Sequence, residues 1–384
     1  MELDIFFSIC QTVVDGYMPS ERVMFENFFE QIELADRLGF GTGWVAESHL
    51  STEVQKMNPG AVIPHFAGEI GLNTDILQLG HRVFARTKRI GIGSAIMNIL
   101  CNGGPIAAAE RIKTFLALHG LDPNEKRILT VGFASGRFPF INVPYGIVPR
   151  DDFERAHWPA VKNKIFEEAT EIFLRLLKGE VLNSDMIAPR FIEGTQLAPR
   201  WRFPNLKIVP QESRMDLLRL SIGSHDPATQ IFANTILPVG VFNLSITPGD
   251  EIEKTNERMR EHYQGTWERR LMPRTVLVFI NDDAAKAAEE ARSALSNYWR
   301  ALEGTLDEEK VRRATNNALV GDATAIAAQM RERFHPDDRL MLWFDFNNHD
   351  SARVMKNMTD FMEKVAREFA GSQAHSRTHE PMSP

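Results

Sequence analysis

The sequence is poor in the residues that build covalent or metal-held scaffolds. Its two cysteines, Cys10 and Cys101, are too few for a disulfide framework and lack metal-ligand spacing. His-x-x-x-His spacing occurs only at His375 and His379 in the polar tail rather than in a helical pattern, and no Cys-x-x-Cys pair, Walker glycine loop or Gly-x-Ser-x-Gly elbow occurs, so no metal site is expected, and nucleoside-triphosphate and serine-hydrolase chemistry have no anchor. Positive charge is not in excess either. The net charge is −7 with the two signs interspersed, which leaves no basic face for nucleic acid and no polybasic tether for a membrane. The chain runs from Met1 straight into Leu3-Asp4-Ile5-Phe6-Phe7 without a basic segment, a long apolar run or a cleavage site. A cytoplasmic protein with neither kind of partner is the expectation.

What is present is enough apolar residue for a sizeable core, 43% of 384 residues, arranged in a repeated unit. Leu3 to Ile9 reads as a strand and Ser20 to Leu38 as a helix, with Met24, Phe28, Ile32, Ala35 and Leu38 on one face and Gly39 at the stop. The unit recurs with strands at Gly43 to Ala46, Arg89 to Met97, Arg127 to Phe133, Leu217 to Ile222, Val239 to Leu244, Thr275 to Ile280 and Leu340 to Phe346. Eight such strands interleaved with amphipathic helices predict an α/β fold, a (β/α)8 TIM barrel over residues 1–370; an open doubly wound sheet is the alternative. The segments Lys178 to Val209 and Asp283 to Asn317 read as insertions in the strand-helix connections, and residues 371–384 as a disordered tail.

In a parallel barrel the functional groups gather where the strands end. The polar residues that follow the apolar runs include Cys10, Glu47 and His49, Asn98, Ser135 and Arg137, Ser224 and His225, Asn243, and Asp345 with His349. The most explicit of these stretches is Ser221 to Pro227, SIGSHDP, in which a strand stops at Gly223 and a helix starts with Asp226 as cap and Pro227 at its first position. Free N–H groups at such a start favour an anion, with Ser224 and His225 adding donors; the same residues equally describe an Asp-Pro cap with no ligand. The turn Val131 to Arg137, VGFASGR, offers small residues for close approach of a flat ligand and a guanidinium for a phosphate.

The ordered set GFGTGWVAESHL, RIGIGSAIM, GPIAAAERI, ILTVGFASGR, PYG, LSIGSHDPAT and ALVGDATAIAAQMRERF resembles the bacterial luciferase-like flavin monooxygenases, from Met1 to about Val365. The resemblance implies a barrel that binds reduced FMN supplied by a separate flavin reductase, reacts it with dioxygen, oxygenates a small organic substrate and assembles as a homodimer. It implies Ser94 and Ala95 beside the flavin ring and Ser135, Ser224, His225 and Thr229 near the phosphate; Gly223 joins them as the strand end before the helix cap, and Arg137 by charge and position. Where members carry Glu-His-His-Phe, this chain has Glu47-Ser48-His49-Leu50, and Ala134 matches the reactive cysteine of the luciferases. Light emission is therefore not expected. Glu47 and His49 remain the candidate catalytic pair, His49 moving a proton and Glu47 setting its tautomer, or else both are structural rim residues. The alternatives in activity are deazaflavin-dependent hydride transfer and a catalytically silent flavin-binding protein.

Overall fold

The computed structural model describes residues 1–61, 63–302 and 317–369. The expected disordered tail, residues 371–384, and residues 303–316 of the second insertion lie outside the described residues. Among the described residues nine strands form one sheet: β1 (Glu2–Phe7), β2 (Thr42–Val45), β3 (Gly91–Asn98), β4 (Leu129–Ala134), β5 (Leu218–Ile222), β6 (Gly240–Val241), β7 (Arg274–Ile280), β8 (Leu319–Gly321) and β9 (Arg339–Trp343). Their order is β6-β5-β4-β3-β2-β1-β9-β7-β8, and every pairing is parallel. A parallel bridge from Asn243 to Arg274 joins the β6 end to β7, with Asn243 N–H donating to Pro273 O at 2.9 Å and Thr275 N–H to Asn243 O at 3.1 Å. That bridge closes the ring, and β8 pairs with β7 beyond it, at Val278 to Ile280.

Helices return the chain between strands and cover the ring. The first, Glu21–Leu38, is capped by the Ser20 side chain and ends at Gly39, as its spacing predicts; its Phe28 packs edge-on to Phe7 of β1 at 5.1 Å. Successive strand residues alternate between this outer core and the barrel interior, where Phe6, Trp44, Phe242 and Met341 form a separate cluster. Trp44 fits because its neighbour across the sheet is Gly93: a Cβ there would stand 2.7 Å from the indole. Below the cluster, toward the strand N-terminal ends, Asp4 accepts from Thr42 N–H at 2.9 Å, from Trp44 Nε1 at 2.6 Å and from Arg339 Nε at 2.5 Å. A buried carboxylate is tolerable only when its oxygens are paired in this way.

The insertions are real departures from the strand-helix unit. Residues 178–209 carry a short antiparallel pair, Phe191–Ile192 with Thr195–Gln196, and the second insertion begins with a helix, Ala284–Leu302. Gln11–Thr12 pairs antiparallel with Gly68–Glu69, fastening the loop after β1 to the loop after β2.

Candidate active site

The C-terminal strand ends surround a cavity of about 710 Å³. That volume is in the range of pockets that bury a whole organic ligand, ~300–1,000 Å³. Its β2 side presents Glu47, Ser48 and His49. The His49 ring Nε2 stands 3.5 Å from Glu47 Oε1, both side chains are nearly inaccessible to bulk water, and Glu47 Oε2 accepts from Ile76 N–H at 3.3 Å. Glu47 thus spans two tasks, orienting the imidazole and tying the strand end to the start of the next helix. Ser48, at the position of the missing histidine, is buried and its hydroxyl has no partner.

On the β3 side the register with β4 shifts between Ser94 and Met97, and the Ala95-Ile96 peptide is cis. Both Ala95 and Ile96 line the cavity, whereas Ser94 is wholly buried with an unpartnered hydroxyl. The turn after β4 is built by side chains: Asn98 Nδ2 donates to Asn142 Oδ1 at 2.7 Å, Asn142 Nδ2 to Ser135 O at 2.9 Å, and Lys162 Nζ to Gly136 O at 2.8 Å. Gly136 has φ +72°, and a Cβ there would lie 2.2 Å from Asn98 Nδ2, so the turn requires glycine. Ser135, Gly136, Arg137 and Gly223 all line the cavity.

Ser224, His225 and Thr229 do not join that lining. The helix Pro227–Asn234 starts as its sequence predicts, but the Asp226 carboxylate takes the Thr229 N–H at 2.9 Å and the Thr229 hydroxyl at 2.5 Å. A negative group already sits where an anion would. His225 is held toward its neutral form by burial, which lowers its pKa against a smaller opposing pull from Glu251.

The wall made by β1 and β9 was only glimpsed in the sequence. Asp345 lines it, Oδ2 accepting from Ser8 N–H and Ser8 Oγ, each at 3.2 Å, while Oδ1 has no partner. Burial pushes this carboxyl up to about 6, against the hydrogen bonds from Ser8. Around it stand Phe6, Trp343, Phe346 and Tyr298, none of which follows from the polar residues at the strand ends; alternation along β1 and β9 points to Phe6 and Trp343, whereas Tyr298 comes from the helix Ala284–Leu302. His349 closes this side with Nε2 on Thr12 O at 2.7 Å, and burial lowers its pKa.

Residues 1–341 match the family model for luciferase-like monooxygenases, and the chain belongs to that family. Its members are oxidoreductases of the monooxygenase type. Similar solved structures include the monooxygenase RslO1 from Streptomyces bottropensis, at 20% identity and TM-score 0.70, covering 96% of this chain and 100% of that one. The oxygenating constituent of 3,6-diketocamphane monooxygenase from Pseudomonas putida, in complex with FMN, is 14% identical with TM-score 0.60 and coverage of 96% and 98%. An F420-dependent secondary alcohol dehydrogenase with an F420-acetone adduct is 16% identical, TM-score 0.58, with coverage of 95% and 98%. At these identities the likeness is one of fold. No curated protein matches the sequence.

Proposed function

We propose that the cavity binds reduced FMN and that the protein oxygenates a small organic substrate. The observation that carries this reading is the pairing, in one 710 Å³ cavity, of a Glu47-His49 dyad with a face of small residues at Ala95, Gly136 and Gly223, flanked by the Ile96 side chain. A flat ring fits against the second while the first holds a proton over it. Bound reduced flavin supplies the electrons with which dioxygen is activated. The chain's own part is to orient the ring along Ala95 and Ile96, with Ser94 behind them, to neutralise the phosphate with Arg137 and the N–H groups near Ser135, and to move a proton at the His49 imidazole. Asp226 argues that the phosphate lies on the Ser135 to Arg137 turn, with Ser224, His225 and Thr229 as outer neighbours. The exclusion of water by the buried dyad strengthens these polar contacts.

A separate reductase delivering reduced FMN, a homodimer, a single domain over residues 1–370 and a cytoplasmic setting complete the reading. No helix among the described residues is long and apolar enough to cross a membrane. Deazaflavin-dependent hydride transfer is the second reading, favoured by the similarity in fold to the F420-dependent dehydrogenase. Anaerobic titration with reduced FMN and, separately, with the reduced deazaflavin, followed by air, tests both. Tight FMN binding and an oxygen-dependent change in the flavin spectrum are expected; binding of the deazaflavin alone, indifferent to air, overturns the oxygenase reading.

A further inference from the structure

In the closed ring, β1 and β9 stand diametrically across from β4 and β5. The cavity therefore has two unlike sides. One carries the turn residues and Phe138, and from it the Arg137 side chain reaches the Tyr298 hydroxyl; the other carries the Phe6, Trp343 and Phe346 rings and one carboxylate. On the second side Phe6 and Trp343 have ring centroids 4.6 Å apart, and Trp343 and Phe346 4.8 Å apart at 75°. The Trp343 indole N–H lies close enough to Asp345 to favour its carboxylate, yet neither Trp343 Nε1 nor Asp345 Oδ1 makes a hydrogen bond of acceptable geometry, and both are shielded from water. One donor and one acceptor, adjacent and unpaired, sit in an aromatic wall.

We propose that this wall is the substrate subsite and takes an aromatic hydroxyl compound, its ring among Phe6, Trp343 and Phe346 and its hydroxyl shared between the Asp345 carboxylate and the Trp343 indole. The inference deepens the flavin reading and rests on it, because it assigns the opposite side to the cofactor. A hydroxyl is the small group that donates and accepts at once. A ketone or ether satisfies the indole but leaves the carboxylate unpaired, and leaving a buried polar atom unpaired is what binding selects against. A ligand carboxylate is disfavoured twice, by repulsion from Asp345 and by its lack of a proton to give. Flat rings meet the tilted rings of the wall in the offset and edge-on geometries that aromatic pairs prefer.

Equilibrium dialysis with 2-naphthol and with naphthalene tests this on the full chain, without flavin or turnover. The wild type is expected to bind 2-naphthol at least about tenfold more tightly than naphthalene, the scale of one hydrogen bond to a charged group. Asp345→Asn keeps an acceptor for Ser8 but removes the charge and turns a donor toward the ligand. The ratio should then fall toward one, with naphthalene affinity held; Trp343→Phe should lower the ratio while keeping the wall, and Phe346→Ala should weaken both probes together. Equal wild-type affinities, or a ratio unchanged in Asp345→Asn, overturns the proposal, and so does an equal loss for both probes in that variant. FMN titration of the same proteins separates the two readings: a wild type that binds no FMN sinks the flavin assignment, while the naphthol ratio still judges the wall.

Discussion

At the residue scale the dyad and the lone carboxylate make opposite predictions. His49→Ala removes the group proposed to move the proton but none of the surface proposed for the ring, so turnover should drop by about 10²-fold or more while FMN affinity stays within about twofold. Single-turnover and binding measurements on one preparation check this, and unchanged turnover would return His49 to a structural role. For Asp345 the question is stability. Its carboxyl titrates near 6 when folded against 3.8 when free, so the folded state prefers the protonated form. The contribution of this carboxyl to stability is therefore fullest below pH 3.8, declines as pH rises toward about 6, and is level above that. The loss amounts to about 1–3 kcal/mol once partial access to cavity water is allowed for. Asp345→Asn should be more stable than wild type by that amount at pH 7.5, with the gap narrowing at pH 4.5 in urea titrations. The Cys10 thiol, raised by burial and by this same carboxylate, is the titratable neighbour. Trading stability for a charged group facing a cavity is the pattern of a binding residue.

At the element scale, the starts and stops of helices were legible because their signals are local. Ser20, Gly39, Asp226 with Pro227, and Asp350 all stand at the helix boundaries their chemistry dictates. Local signals cannot say what else a cap does. The stretch SIGSHDP predicts free N–H groups at a helix start, but the cap residue itself consumes them, and no spacing rule distinguishes a cap that fills its own site from one that leaves it open. Strand β8 was missed for a related reason: Leu319–Gly321 is three residues long, and only its partner at Val278 to Ile280 makes it a strand. Likewise the expected strand Val239 to Leu244 is regular only at Gly240–Val241, because Asn243 turns to the bridge that closes the ring. The Asp226 carboxylate supplies a direct test of where the phosphate lies. Asp226→Ser keeps a capping oxygen and removes the charge, so helix stability should change by less than about 1 kcal/mol. If the phosphate lies on the Ser135 to Arg137 turn with Ser224 and Thr229 as outer neighbours, FMN affinity should rise modestly, about two- to fivefold, in a low-salt titration and less at high salt. No change at either salt would move the phosphate away from this helix.

At the scale of the whole molecule, the barrel divides its two ends between stability and chemistry. The upper end accumulates unsatisfied atoms, Ser48 Oγ, Ser94 Oγ, Trp343 Nε1 and Asp345 Oδ1, around an open cavity. At the lower end the corner formed by β1, β2 and β9 does the reverse. There Asp4, 1% exposed, has its oxygens shared among Thr42 N–H, Trp44 Nε1 and Arg339 Nε, and Arg339 also donates to Thr42 Oγ1 at 2.8 Å. This network spans β1, β2 and β9, three neighbours in the ring, and it sets the indole of Trp44 in the barrel interior on which the cavity floor rests. Removing the carboxylate strands a guanidinium and two N–H donors together, which is the arrangement that makes breaking one side of a buried pair costly. Asp4→Leu should therefore lose about 3–5 kcal/mol in urea titration, with the midpoint shifted and the slope kept. Burial itself raises the Asp4 pKa, so Asp4→Asn, which retains hydrogen-bonding atoms without the charge, should recover part of that loss. A variant pair in which Asp4→Leu and Asp4→Asn cost nothing would mean that the ring is held by its hydrophobic layers alone, and that the polar floor beneath Trp44 is dispensable.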